Sequence, residues 1–183
     1  LTWGGTFLVI EIALEGITPF WLAAARIGFA TLLMLIFWYL RGARLFKTAA
    51  TSSDWTILTV IGLLSSAVPF MLLSWGQQYV TSGFAGVSMA SVALIVLPLA
   101  HFMVPGERMT WRKAAGFVIG FIGVVILIGG QALESNGAAY ETPGRIACLG
   151  AAFCYGFSSI LIRRLPPIDP IGLATILLLI GAV

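Results

Sequence analysis

"TPFWLAAARIGFATLLMLIFWYL", residues 18–40, is an apolar run long enough to cross a bilayer, yet Arg26 sits well inside it. Lipid offers no hydrogen-bond partners, so backbone amides must pair within the segment, and a run of about 20 apolar residues is read as a helix. The alternation of apolar and polar residues expected of a barrel strand is absent from this run.

Six further runs share this character: residues 1–15, 55–79, 83–104, 112–130, 143–163 and 169–183. Short polar or Gly/Pro breaks separate them, among them "EGITP", "PGERMTWRK" and "RRLPPID". Over its 183 residues the chain is 60% hydrophobic and 9% charged, with a mean hydropathy of +1.04. Soluble domains carry roughly 25% charged residues. The expected fold class is therefore an all-α integral membrane protein with about seven transmembrane helices. The first run starts at Leu1 without an initiator Met, and the last stops at Val183 inside an apolar stretch. Both read as truncated spans and the chain as a fragment. The first run also lacks the basic n-region and small-residue cleavage site of a secretory signal.

Loop charges predict the orientation, because basic loops stay cytoplasmic. Arg41, Arg44 and Lys47 follow the second run, Arg108, Arg112 and Lys113 the fourth, and Arg163 and Arg164 the sixth. The intervening loops carry Glu15, no charge in "YVTSG", and Glu134, Glu141 and Arg145. This alternation puts the N-terminus in the cytoplasm of a multi-pass protein in the inner or plasma membrane. Aromatic belts agree: Trp38, Tyr39, Trp55 and Trp111 fall at the inner ends, Trp21, Trp75 and Tyr79 at the outer.

A weak internal repeat pairs "WGGTFLVIEIALEGITPFWLAAAR", residues 3–26, with "YGFSSILIRRLPPIDPIGLATILL", residues 155–178. It sets Trp3-Gly4 on Tyr155-Gly156, Pro19 on Pro170, and Leu22-Ala23 on Leu173-Ala174. Five spans separate the two starts, an odd number, so the second copy begins on the opposite side of the membrane. Inverted repeats of this kind are characteristic of transporters.

Four stretches then resemble one family: "WGGTF" followed by P-x-x-L-A-A-A-R at residues 19–26, "GFAGVSMASVALIVLPL" at 83–99, "GERMTWRKAAGFVIGFIGVVIL" at 106–127, and "GRIACLGAAFCYGFSSILIRR" at 144–164. They look like the EamA-type transporters of the drug/metabolite transporter superfamily. The resemblance covers essentially the whole chain, with residues 1–130 as a first five-helix unit and residues 143–183 as the opening of a second. It implies a ten-helix protein, monomeric with two pseudo-symmetric inverted halves, a central substrate cavity, and export or exchange of small metabolites. Glu11 stands at a first-helix position that varies in that family, so no substrate chemistry carries over with the resemblance.

The candidate site residues follow from charge and depth. Arg26 lies seven residues beyond Pro19 and Glu11 five before Gly16, which puts both roughly 8–10 Å below the outer boundary at helical rise. A lone charge near the bilayer centre costs at least about 2.5–3.5 kcal/mol, and pairing or a wet cavity lowers that. Two readings stay open. An Arg26–Glu11 ion pair, or an Arg26 that snorkels to the headgroups, orders the helices. Alternatively, both charges wall a substrate cavity, Arg26 holding a carboxylate or phosphate and Glu11 a cationic group or a coupling proton. Gln77 and Gln78 at the end of the third run, and Ser88 and Ser91 at i,i+3 in the fourth, are candidate lining residues. Pro69 and Pro98 are candidate hinges, each removing an intrahelical bond. Gly116 and Gly120 form a G-x-x-x-G face, continued by Gly123, for close helix packing. His101 reads as an interfacial packing residue, with a proton relay as the alternative.

Other chemistries find little support. One His and two Cys cannot build the usual metal sites, and six helical residues turn Cys148 and Cys154 about 240° apart, which prevents a bridge between them. No G-x-x-x-x-G-K-[ST] is present. The net charge of +3 lies in short loops, without the basic stripe that tracks nucleic acid. The expected function is a secondary transporter, not an enzyme, that exports small polar metabolites such as amino acids by alternating access and needs no cofactor. Its expected partners are a metabolite, the lipid bilayer and a coupling proton or ion, with no nucleic acid. A non-transporting membrane scaffold and a membrane-embedded enzyme whose catalytic half is missing are the alternatives.

Overall fold

Each of the seven apolar runs holds one helix in the computed structural model, which describes residues 2–46, 51–133 and 140–182. Lys47 and Glu134, used above for orientation, lie outside the described residues. The helices are α1 (Thr2–Leu14), α2 (Pro19–Leu40), α3 (Ser52–Gly76), α4 (Ser82–Met103), α5 (Trp111–Leu133), α6 (Glu141–Ile162) and α7 (Pro170–Ala182). Among the described residues α2, α3, α4 and α6 are long and apolar enough to span a membrane, and α7 is a shorter apolar helix.

Local chemistry sets the ends. Pro19 and Pro170, the prolines matched by the internal repeat, each open a helix, where a missing N–H costs nothing. α3 begins at Ser52, earlier than its apolar run, because the Asp54 carboxylate accepts hydrogen bonds from the Thr51 backbone N–H and hydroxyl, each at 2.8 Å. It ends at Gly76, so Gln77 and Gln78 fall in the turn beyond it. Inside α3, residues Leu63–Ala67 form a π turn, closed by the Val68 N–H on the Leu63 carbonyl. A proline ring crowds the carbonyl four residues back. The wider turn directly before Pro69 makes room for it.

The packing is that of a protein meant for lipid. Large apolar side chains such as Phe29, Leu40, Phe102 and Ile119 are exposed, while Ala85, Ala151, Ala152, Ser74, Ser88 and Thr175 are fully buried. Without a hydrophobic drive between helices in lipid, small residues allow the close packing that holds them together. α6 runs against both α3 and α4, α7 lies on α2 and α3, and α1 rests mainly on α4.

Closest approach occurs at glycines that the sequence reading did not select. A Cβ on Gly76 would lie 2.9 Å from the Gly144 carbonyl oxygen, and one on Gly144 would lie 3.0 Å from that of Gly76, so α3 and α6 cross backbone to backbone. A Cβ on Gly156 of α6 would meet Ile95 of α4 at 2.7 Å, and one on Gly181 of α7 would meet Ser66 in the π turn at 2.5 Å. The G-x-x-x-G face behaves differently. A Cβ on Gly120 would meet Leu94 at 3.2 Å, but Gly116 and Gly123 have nothing within 4 Å among the described residues. Among the described residues Gly116 thus makes no close helix contact, whereas Gly120 faces Leu94 of α4.

Candidate functional site

Arg26 projects from α2 toward α3, where its guanidinium carbon lies 4.8 Å from the centre of the Phe70 ring. The ring face offers a cation partial compensation for lost water. Phe70 follows Pro69, so the π turn and the proline together set where that ring stands. The compensation is incomplete, because the Arg26 Nη1 is buried and donates to no acceptor among the described residues. Tyr155 of α6 is an electrostatic neighbour of the same guanidinium. Arg26 is thus a half-buried cation with one buried donor that no acceptor among the described residues engages.

Tyr155, unlike Arg26, lines open space. It lines a cavity of about 790 Å³ together with Phe7 of α1 and a face of α4 that includes Ser82, Gly83, Gly86 and Ala90. Gly86 faces Phe7 across this cavity, where an added Cβ would reach the ring in ordinary contact at 3.6 Å. Neither Tyr155 nor Phe70 was singled out as a site residue in the sequence. Tyr155 was visible only through its place opposite Trp3 in the repeat, and Phe70 only through its proline neighbour.

The Arg26–Glu11 ion pair, one of the two readings left open by the sequence, is not formed. Glu11 is exposed and makes no ion pair with Arg26; the ion pairs among the described residues are Arg145–Glu141 and Arg163–Glu107. The cause is the rotation of α1. Phe7 and Ile10 are the side chains that turn into the core with Leu22, Phe84 and Ala85, and Glu11 is carried outward with the rest of that helix face. Common depth was legible from the loops, but not the direction in which each charge points.

The remaining candidates are dispersed. Gln77 is buried, and its Nε2 donates to the Phe7 carbonyl at 3.1 Å, while its Oε1 has no hydrogen-bond partner among the described residues. Gln78 is exposed. Ser88 donates to the Phe84 carbonyl at 2.9 Å and Ser91 to that of Ser88, so both hydroxyls are engaged by their own helix. Neither serine lines the 790 Å³ cavity, which uses another face of α4. Pro98 sits inside α4, and Pro69 follows the π turn after Val68. His101 is exposed, and its Nδ1 accepts from the Met109 N–H at 3.1 Å, tying the end of α4 to the following loop. Cys148 and Cys154 are both free thiols. No group of three or more metal-binding side chains occurs among the described residues.

Comparison with known proteins gives a consistent picture. Residues 1–129 match the EamA-like transporter family. The chain is 30% identical over 167 residues to the uncharacterized inner membrane transporter YedA of Escherichia coli K12, covering 90% of this chain and 51% of that protein. It is 29% identical over 143 residues to the protein PagO of Salmonella typhimurium, covering 78% of this chain and 44% of PagO. It is 27% identical over 140 residues to a probable terminal-alkyne amino-acid exporter of Streptantibioticus cattleyicolor, covering 75% of this chain and 46% of that protein. The chain thus spans about half the length of the relatives it matches. No solved structure matches it.

Proposed function

The chain belongs to the EamA-like transporter family, and from that premise we propose that it forms part of a secondary transporter of the inner membrane that exports small polar metabolites, amino acids or related compounds, by alternating access. The observation that carries the substrate class is the buried Nη1 of Arg26, which has no hydrogen-bond partner among the described residues and whose electrostatic neighbour Tyr155 lines the cavity. A guanidinium presents a planar fork to a carboxylate, and a charge-assisted bond there replaces the water that Arg26 has lost. A relative named as an amino-acid exporter supports the same class.

In this proposal residues 1–130 form the first of two inverted five-helix units and residues 143–183 open the second, with the N-terminus cytoplasmic. The units rock about the central cavity as in other inverted-repeat carriers. Glu11, exposed within α1, is the carboxylate for a substrate ammonium or a coupling proton, facing chain beyond these residues. Gln77, Gln78, Ser88 and Ser91 contribute polar surface once the helices rearrange. The π turn at Pro69 and the interrupted ladder at Pro98 are hinges, because each leaves a helix short of a bond that resists bending. Gly120 holds α5 close to Leu94 of α4, and Gly116, with nothing within 4 Å among the described residues, leaves α5 open backbone on which a second unit slides.

The test is amino-acid efflux from cells expressing the full-length protein, with the amount inserted in the membrane measured in parallel. Arg26→Leu and Glu11→Leu are each expected to insert and to export poorly. Normal export by both variants at equal protein levels removes the cavity assignment.

A further inference from the structure

A second cavity, of about 480 Å³, lies at the other end of α2 and is lined by Trp38, Arg41, Arg44, Leu45, Phe46 and Asp169. Its walls are fixed by backbone. Gly42 and Ala43, at φ of 87° and 51°, turn the chain sharply after α2. The Trp38 indole N–H then donates to the Arg44 carbonyl at 3.0 Å. The Asp169 N–H donates to the Leu45 carbonyl at 2.8 Å, and Phe46 pairs with Ile168 in an antiparallel bridge. α7 fits beneath this loop only because Gly172 lacks a side chain, since a Cβ there would lie 2.8 Å from the Arg44 carbonyl oxygen.

The charges in this cavity are unevenly engaged. Asp169 Oδ2 accepts the N–H groups of Ile171 and Gly172, at 3.0 and 2.9 Å, so its carboxylate is held by the start of α7. Arg41 and Arg44 are exposed and form no ion pair with any carboxylate among the described residues. Beside them the last turn of α2 exposes Phe37, Tyr39 and Leu40. Two free guanidiniums and an interfacial indole therefore stand where an apolar, lipid-facing surface ends.

We propose that this cavity binds the phosphodiester headgroup of an anionic phospholipid in the leaflet facing the basic loops, its acyl chains lying along the exposed end of α2. Guanidinium forks match phosphate oxygens. The contiguous apolar surface favours a lipid over free phosphate, which has nothing to place there. The site is independent of the transport reading, since it uses no residue of the Arg26 cavity. Each arginine near an anionic headgroup contributes about fivefold to affinity.

The experiment is native mass spectrometry of the full-length protein in detergent, titrated with phosphatidylglycerol or with phosphatidylcholine of the same acyl chains, and in a third arm with phosphatidylglycerol plus millimolar sodium phosphate. Phosphatidylglycerol is expected to bind at least about tenfold more tightly than phosphatidylcholine, and phosphate not to displace it. Arg41→Gln/Arg44→Gln is expected to abolish the preference, Arg41→Lys/Arg44→Lys to keep most of it, and Arg108→Gln/Arg112→Gln, in another basic loop, to leave it unchanged. If the double glutamine variant does not fold, Arg41→Gln and Arg44→Gln singly are each expected to lose about fivefold. Equal binding of the two lipids, an unaltered preference in the glutamine variants, an equal loss in the Arg108/Arg112 control, or displacement by phosphate each overturns the proposal.

Discussion

Replacing Gly144 by Ala tests the packing at its tightest point. The new Cβ would lie 3.0 Å from the Gly76 carbonyl oxygen, 3.0 Å from Tyr79 Cβ and 3.3 Å from a Val80 methyl carbon. Comfortable carbon contacts begin at about 3.5 Å, so α3 and α6 must separate by about half an ångström, because the two nearest of these obstacles are a backbone oxygen and a Cβ and cannot swing away. Overpacking of this kind costs about 1–3 kcal/mol. Alanine returns at most about 1 kcal/mol of helix propensity, leaving a net loss of about 0–3 kcal/mol from this site. Gly150 supplies an internal control, because it lies on the same helix and its added Cβ would meet Leu72 at an ordinary 3.7 Å. Gly150→Ala should gain up to about 1 kcal/mol from propensity alone. Thermal unfolding in detergent, followed by helical circular dichroism, should therefore rank Gly150→Ala above wild type and Gly144→Ala below it. The reverse order, or no difference between the two variants, refutes the backbone crossing.

Two further outcomes follow from polar groups. Ser74 is fully buried and its hydroxyl has no hydrogen-bond partner among the described residues; an unsatisfied buried hydroxyl costs about 1–3 kcal/mol. Ser74→Ala should therefore raise the unfolding midpoint, and a clear fall would mean that the hydroxyl has a partner. Glu107 and Arg163 form a half-open ion pair between the loop after α4 and the end of α6, and Arg164 donates to the Met103 carbonyl at 3.1 Å in the same junction. Exposed pairs contribute about 1 kcal/mol or less, so Glu107→Gln should lower stability slightly and the effect should shrink in high salt. A loss of several kcal/mol that persists in high salt would contradict this.

The placement of the helices was legible because each run of apolar residues ends in a break with its own chemistry, such as "EGITP" before Pro19 or "RRLPPID" before Pro170. Where a cap acts at a distance from the apolar run, the reading slipped. Thr51 and Asp54 start α3 three residues before Trp55. The site was legible only in part. Arg26 stood out as a charge in an apolar helix, but its contact with Phe70 depends on a π turn that no residue pattern announces. Glu11 failed as its partner because the rotation of α1 is decided by how Phe7 and Ile10 pack, not by depth. The i,i+3 spacing puts Ser88 and Ser91 on one helix face but could not show that their hydroxyls would turn back on the Phe84 and Ser88 carbonyls. Gly76 and Gly144 stand on different helices, so no spacing within one helix marks their approach.

The central claim is that Arg26 receives a substrate carboxylate, and counterflow of a radiolabelled amino acid in proteoliposomes of the full-length protein tests it most directly. Wild type, Arg26→Lys and Arg26→Leu would be compared at equal reconstituted amounts, each against the amino acid and against its decarboxylated amine. Loss of a charge-assisted bond of about 1.5–3 kcal/mol corresponds to about 10- to 100-fold weaker binding. Arg26→Leu should therefore lose the amino acid's advantage over the amine, with Arg26→Lys retaining part of it. An Arg26→Leu protein that exchanges the amino acid as wild type does, with its preference over the amine intact, would contradict the account.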